Sequence, residues 1–203
     1  MAGGKSARMK ENKLLIKIAG KRIIDHTISV ISSLFPVYVV GKENLNHYID
    51  NRSFIVDLYS VSAPLVGLYS AIRTVDAEAV FLISGDMPFA KADLILFLES
   101  QLSKDIDAVV PFYERPQTTF AFYKKSCLET ILKAIEDAQL SLKGILMTLK
   151  VKYIYEEKMR PFDQNLISFF NINTRKQLEI GKKIILNSQA VNSCIKNLNP
   201  KLY

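Results

Sequence analysis

The chain is poor in the residues that usually do metal and redox chemistry. Its two cysteines, Cys127 and Cys194, lie far apart with no ligand-like pattern around either. That excludes a disulfide scaffold, argues against a zinc site and suits a reducing cytoplasm. The two histidines, His26 and His47, are too few for most histidine-based metal sites and read as structural or surface residues. No apolar run reaches the ~18 residues a membrane-spanning helix needs. The first residues carry no apolar segment ahead of a small-residue cleavage site, so secretion is not expected. Internal repeats and low-complexity linkers are also missing.

What remains is an ordinary globular composition: 203 residues, 49% hydrophobic and 23% charged. That length suits one well-buried domain. Short β-branched apolar runs alternate with helical patterns, which predicts βαβ units in an α/β fold. The expectation is a single three-layer domain, a mostly parallel, doubly wound Rossmann-like sheet with helices on both faces. Strands are predicted at 37–40, 54–56, 79–83, 108–111, 118–123, 151–155 and 167–170. Helices are predicted at 21–33, 64–74, 91–103, 125–138, 142–149 and 174–186. Thr174 followed by Gln177 matches a capping box. Residues 1–186 form the expected domain, and 187–203 read as a polar C-terminal tail that frays.

The net charge of +7 raises the question of nucleic acid. The excess sits at the two ends, however, and no basic helix face is interleaved with aromatics, so no nucleic-acid partner is expected. The first 22 residues hold seven Lys/Arg against one acid, Glu11. Within them, Ala2-Gly3-Gly4-Lys5-Ser6 lets backbone N–H groups approach a ligand closely, and Lys5, Arg8 and Lys13 are cations suited to phosphate oxygens. The spacing is neither that of a Walker A loop nor G-x-G-x-x-G. It is a loop suited to a polyphosphate.

Three further segments carry polar groups where α/β sheets bind ligands. The run 81–83 leads into Ser84-Gly85-Asp86-Met87-Pro88, placing Asp86 at the carboxyl end of a strand. There it can ligate Mg²⁺, which takes one or two carboxylates plus substrate phosphates, or it can cap a turn. Asn171 and Asn173 alternate before the capped helix, so on an extended chain they point the same way, as substrate contacts or as turn residues. Asp57 ends another apolar run, ahead of Ala63-Pro64-Leu65-Val66-Gly67.

Together these segments resemble the molybdenum cofactor guanylyltransferase family, over about residues 1–186. The family's L-A-G-G-x-S-x-R-M-G-x-D-K stands here as M-A-G-G-K-S-A-R-M-K-E-N-K. Its D-M-P falls at 86–88, its G-P-L-A-G at 63–67 and its N-I-N-T at 171–174. Residues 117–121 resemble its Q-P-x-F-A segment and 140–143 its S-L-R-x-F-L region. Met1 replaces the loop leucine, Lys10 a glycine, Asn12 an aspartate and Ala63 a glycine. Gly41 stands where the family often has a nucleotide-contacting asparagine.

The resemblance implies a Mg²⁺-dependent enzyme that transfers GMP from GTP to the terminal phosphate of molybdopterin, with or without molybdenum, releasing pyrophosphate. It implies that Met1, Ala2, Gly3, Gly4, Lys13, Asp57 and Asp86 bind the nucleotide. Lys13, Arg8 and Asp86 would be catalytic, Asp86 also holding the Mg²⁺, with Asn171 and Asn173 towards the pterin. It further implies cofactor-inserting proteins and molybdoenzymes as partners, no membrane, and a monomer or weak homo-oligomer in the cytoplasm. The alternatives are another base or acceptor, such as cytidylyl transfer to molybdopterin, or a nucleotide-binding regulator without catalysis. A glycine loop of this kind should follow a strand. Since the loop begins at residue 2, a start upstream of Met1 is the expectation.

Overall fold

The computed structural model describes residues 13–42 and 54–198, with side chains up to Leu186. The described chain opens with a 3₁₀ turn, Lys13–Leu15. A two-strand hairpin follows, β1 (Lys17–Ile18) and β2 (Lys21–Arg22). Its two-residue turn puts Ala19 at φ 48° and Gly20 at φ 82°, the doubly left-handed turn that matches strand twist. Helix α1 (Ile23–Ile31) starts where Arg22 grips Asp25 through two 2.7 Å hydrogen bonds. The helix thus begins later than the apolar period predicts, because the hairpin claims Lys21 and Arg22.

Strands β3 (Val39–Gly41) and β4 (Phe54–Val56) pair in parallel. Helix α2 (Pro64–Thr74) has its proline in the first turn, where no N–H is needed. Then come β5 (Ala79–Ile83), α3 (Ala92–Glu99), β6 (Ala108–Tyr113), β7 (Arg115–Pro116) and β8 (Phe120–Lys124). A 3₁₀ turn at Lys125–Cys127 feeds α4 (Leu128–Glu136), followed by α5 (Leu142–Ile145), β9 (Val151–Tyr155) and α6 (Glu156–Met159). Helix α7 (Arg175–Leu198) closes the described chain. It begins at the expected capping box: the Gln177 N–H donates to Thr174 Oγ1 at 3.2 Å, and Gln177 Oε1 accepts from the Asn173 N–H at 2.9 Å. The helix continues past Leu186, so the backbone of the expected frayed tail is helical as far as Leu198.

The main sheet runs β5-β8-β6, with β9 on the far edge of β6. Strands β5, β6 and β9 share one direction, and β8 runs against both its neighbours. The sheet is therefore mixed, although most strands are co-directional. The reversal is physical: β8 follows β6 through a short turn containing Glu114 at φ 57°, and a parallel return needs a crossover of a dozen residues or more.

Alternation along the strands builds two cores. Ala108, Val110, Ala121 and Tyr123 face α2, α4 and α5, while Val109, Phe120 and Phe122 face α3. Both faces are covered, which explains the near-continuous apolar strands and gives the expected three layers. Cys127 is fully buried in the first core, where burial above all pushes its thiol up to about 12. It is a packing residue.

One predicted strand is not formed. Residues 167–169 make a 3₁₀ turn behind Leu166, which lies at φ 50°. The buried Asp163 carboxylate accepts the Ser168 N–H at 2.8 Å. Local side-chain-to-backbone bonding has displaced the ladder that the apolar run suggests.

Candidate active site

The site assembles at the carboxyl ends of β3, β4 and β5 from segments distant in sequence. Asp86 lies in the turn after β5, where the Met87 N–H donates to the Ser84 carbonyl at 3.2 Å. Thr27 on α1 donates to the Gly85 carbonyl at 3.4 Å, and the Ile172 N–H donates to the Asp86 carbonyl at 3.0 Å. The acid is thereby fixed from both sides and is only 5% exposed.

Lys13 arrives on the 3₁₀ turn before the hairpin. Its ammonium donates to Asp86 Oδ2 at 2.5 Å and to Asn173 Oδ1 at 2.6 Å. Three residues that the sequence singled out separately thus meet at one nitrogen. A small apolar cluster holds them in register: Ile18 and Ile23 from the N-terminal hairpin pack with Ile172 and Leu178 from the C-terminal segment. His26 ties down the same hairpin, its Nε2 lying 2.9 Å from the Ile18 carbonyl. That is the structural role expected of it.

The other carboxylate oxygen, Asp86 Oδ1, is buried and has no hydrogen-bond partner among the described residues. An orphaned, buried anionic oxygen is costly unless something binds it. Together with Asn173 Oδ1 it forms a hard oxygen donor set, which fits Mg²⁺. No group of three or more His, Cys, Asp or Glu able to hold a metal exists among the described residues. One carboxylate supplemented by substrate oxygens is the Mg²⁺ pattern that needs no such cage.

Asp57 follows β4 directly, and its N–H donates to the Gly41 carbonyl at 2.9 Å. Its Oδ1 is also buried without a partner among the described residues. Burial pushes the Asp57 carboxyl above its ordinary range, and the Lys42 charge pulls the other way. Lys42 reaches across to the Ser60 carbonyl and latches the loop after Asp57. This lysine was missed in the sequence; the signal available was a cation one glycine past the apolar run 37–40. The next N–H, that of Leu58, donates to Ser70 Oγ at 2.9 Å.

The asparagine pair behaves differently from the extended-chain expectation. Asn173 faces Lys13, whereas the Asn171 amide donates to the Phe169 carbonyl at 3.2 Å. Asn171 is a turn residue here, since the segment before it is a 3₁₀ turn and imposes no two-residue alternation. Met1, Ala2, Gly3, Gly4 and Arg8 lie outside the described residues, as does His47.

Comparison with known proteins decides the family. The description of the MobA-like NTP transferase domain matches residues 1–151. The chain belongs to the MobA-like NTP transferase family. A curated relative from Desulfosudis oleivorans, a molybdenum cofactor guanylyltransferase, is 30% identical over 188 residues, covering 91% of this chain and 93% of that protein. The crystal structure of molybdopterin-guanine dinucleotide biosynthesis protein A from Archaeoglobus fulgidus superposes with a TM-score of 0.83 at 28% identity. That match covers 92% of this chain and 96% of that one. A cytidylyltransferase from Thermus thermophilus, acting on 2-C-methyl-D-erythritol 4-phosphate, shares the fold with a TM-score of 0.62 at 13% identity, over 85% of this chain and 93% of that one. Membership makes the protein a nucleotidyltransferase, and the acidic turn after β5 lies within the matched region. Asn173 lies beyond it.

Proposed function

We propose that the protein transfers GMP from GTP to the terminal phosphate of molybdopterin, in metal-bound or metal-free form, and releases pyrophosphate. The observation that carries this reading is the junction of Lys13, Asp86 and Asn173 at the end of β5, with one buried Asp86 oxygen left over. The guanylyltransferase relative, similar over nearly the whole chain, supports the choice of base and acceptor.

The acceptor is a phosphate monoester with a second pKa near 6, so at neutral pH it is already mostly dianionic. It can attack the α-phosphorus without a side-chain base, and no histidine among the described residues stands at the site. The protein's contribution is positioning and neutralisation of charge. Asp86, with Asn173, would hold Mg²⁺, which when bound neutralises phosphate charge. Lys13, released from Asp86 towards the triphosphate, steadies the departing pyrophosphate together with Arg8. The Ala2–Gly4 backbone cradles the phosphates, and Asp57 accepts from donors on the nucleotide.

The deciding experiment supplies molybdopterin and Mg²⁺ with GTP, CTP or ATP and measures pyrophosphate release. Release with GTP in clear excess over the other two is expected. Preference for CTP would overturn the base assignment. No release with any of the three would leave only a nucleotide-binding protein.

A further inference from the structure

Strand β9 lies at the far side of the main sheet, and among the described residues it pairs with β6 alone. Besides β6, the one described element in extensive contact with it is α6, which continues directly from its end. The Lys150 carbonyl accepts from the Ala108 N–H, so the even-numbered residues of this segment turn their backbone groups towards β6. Backbone groups alternate sides along a strand, and Val151, Tyr153 and Tyr155 therefore turn theirs outward. Such an edge is a template for another strand.

Proteins commonly blunt an edge with a charged side chain aimed across it. Lys152 does not serve in that way. Its side chain lies on the α3 side of the sheet, with the ammonium turned back to the Gln101 carbonyl at 3.4 Å. The opposite face of β9 is apolar. Val151 and Tyr153 pack on the first core, and Tyr155, 54% exposed, continues the row. Phe112 of β6 lies against both tyrosines, its ring centroid 6.0 Å from that of Tyr153 and 5.4 Å from that of Tyr155. An aromatic row thus reaches the edge of the sheet with its last ring half in solvent.

The order of charges says what fits there. The segment reads Lys150-Val151-Lys152-Tyr153-Ile154-Tyr155-Glu156-Glu157, cations at its start and acids at its end. It complements itself when two copies run antiparallel. With Tyr153 facing Tyr153 across a two-fold axis, Val151 faces Tyr155 and Lys150 faces Glu156, each pair occurring twice. Glu156 bonds Arg160 through Oε2 at 3.2 Å, and its Oε1 is directed to no other described residue. A parallel pairing in register would instead set lysine on lysine and glutamate on glutamate. In the antiparallel register all the outward residues face one another, so the three pairs exchange about six backbone hydrogen bonds. Each Tyr155 ring then packs beside Val151 of the other copy, on the same face.

We infer that β9 is a homodimer interface, where two copies of this chain join edge to edge and antiparallel through residues 150–156. The antiparallel sense sends the two Asp86 turns to opposite ends of the joined sheet, because β5 and β9 share one direction within each copy. Dimerisation therefore leaves turnover per chain unchanged, and the inference is independent of which nucleotide or acceptor is used.

Sedimentation velocity over about 1 to 100 µM protein tests it, since association follows mass action. The chain should pass from monomer to dimer within that range. Amide hydrogen exchange in the peptide spanning 150–156 should slow by at least about tenfold in step. Tyr155 lies at φ −82° and ψ 161°, a conformation open to proline, and its N–H points outward. Tyr155→Pro should thus stay monomeric throughout, with turnover per chain unchanged. Lys150→Glu and Glu156→Lys should each weaken self-association by at least about tenfold, since each sets like charges opposite one another. An equimolar mixture of these two variants should associate as the parent does, because every facing pair is then of opposite charge. A parent chain that stays monomeric, or a dimer that survives Tyr155→Pro, would overturn the interface. A mixture no stronger than its separate components would overturn the antiparallel register. Protection of 150–156 that does not change with concentration would assign the edge to another segment of the same chain and overturn the proposed occupant.

Discussion

Replacing Asp86 with alanine separates catalysis from folding, because the two oxygens of this carboxylate have opposite effects on stability. Oδ2 pairs with Lys13 at 2.5 Å, the two side chains being 7% and 22% exposed. Removing one partner of a fully buried pair costs about 3–5 kcal/mol, mostly through the charge left behind. Here the charge left behind is on Lys13, which is partly solvated, keeps its bond to Asn173 and can swing outward, so most of that cost is avoided. Oδ1 is buried and unpartnered, and removing it recovers about 1–3 kcal/mol of desolvation. The two effects nearly cancel, and Asp86→Ala is expected to change unfolding free energy by less than about 1.5 kcal/mol. Pyrophosphate release should fall by at least about a hundredfold, the usual loss when a group stabilising transition-state charge is deleted. Urea unfolding followed by fluorescence and a coupled pyrophosphate assay measure the two quantities on one preparation. Turnover within tenfold of the parent would refute the catalytic reading. A stability loss above ~3 kcal/mol would show that the carboxylate serves the fold and that its free oxygen is no ligand site.

Lys13→Ala should lower turnover and weaken GTP affinity together, measured by steady-state kinetics and equilibrium binding; unchanged values for both would remove Lys13 from the site. Asp57→Asn should stabilise the protein at neutral pH by about 1 kcal/mol, because a neutral amide costs less than a carboxylate to bury without a partner. The sign follows from burial holding the folded carboxyl above its ordinary value. The parent then loses stability as pH rises from that ordinary value, near 3.9, through the raised one, while the asparagine variant does not. Their difference should vanish below about pH 4 in unfolding measured across pH, and an unchanging difference would contradict the assignment. Ala19→Asn should raise stability by about 0.5–1 kcal/mol in thermal unfolding, because asparagine tolerates the left-handed conformation that alanine adopts at φ 48°.

Elements with both ends marked by turn chemistry and a covered apolar run were legible in the sequence. Strands β4, β5 and β9 fall where they were expected because they are short β-branched and aromatic runs, and helix α2 because a first-turn proline marks its start. The reversal of β8 was not legible from periodicity, since a strand's pattern is the same in either direction; only the short connection from β6 could have revealed it. The hairpin at 17–22 was not read: its second strand lay inside the helix predicted at 21–33, and its turn is Ala19-Gly20 rather than an asparagine- or aspartate-glycine pair. In the site, Asp86, Lys13 and Asn173 could be picked out by residue type and position, but their meeting at one ammonium could not. It depends on the packing of Ile18 and Ile23 against Ile172, contacts between distant segments that no local pattern records. The bond from the Asn171 amide back to the Phe169 carbonyl fits one of the two readings that its pattern left open.

Ile172 sits beneath helix α7 at Gly181, where even a single added carbon would come within 3.0 Å of its side-chain tip. The backbone clasp between Ile172 and Asp86 is thus seated by α7. The family-matched region, residues 1–151, contains Lys13 and Asp86 but neither the clasp nor Asn173. A chain cut after residue 151 would keep the acid and the lysine and lose two of the contacts that hold them in place.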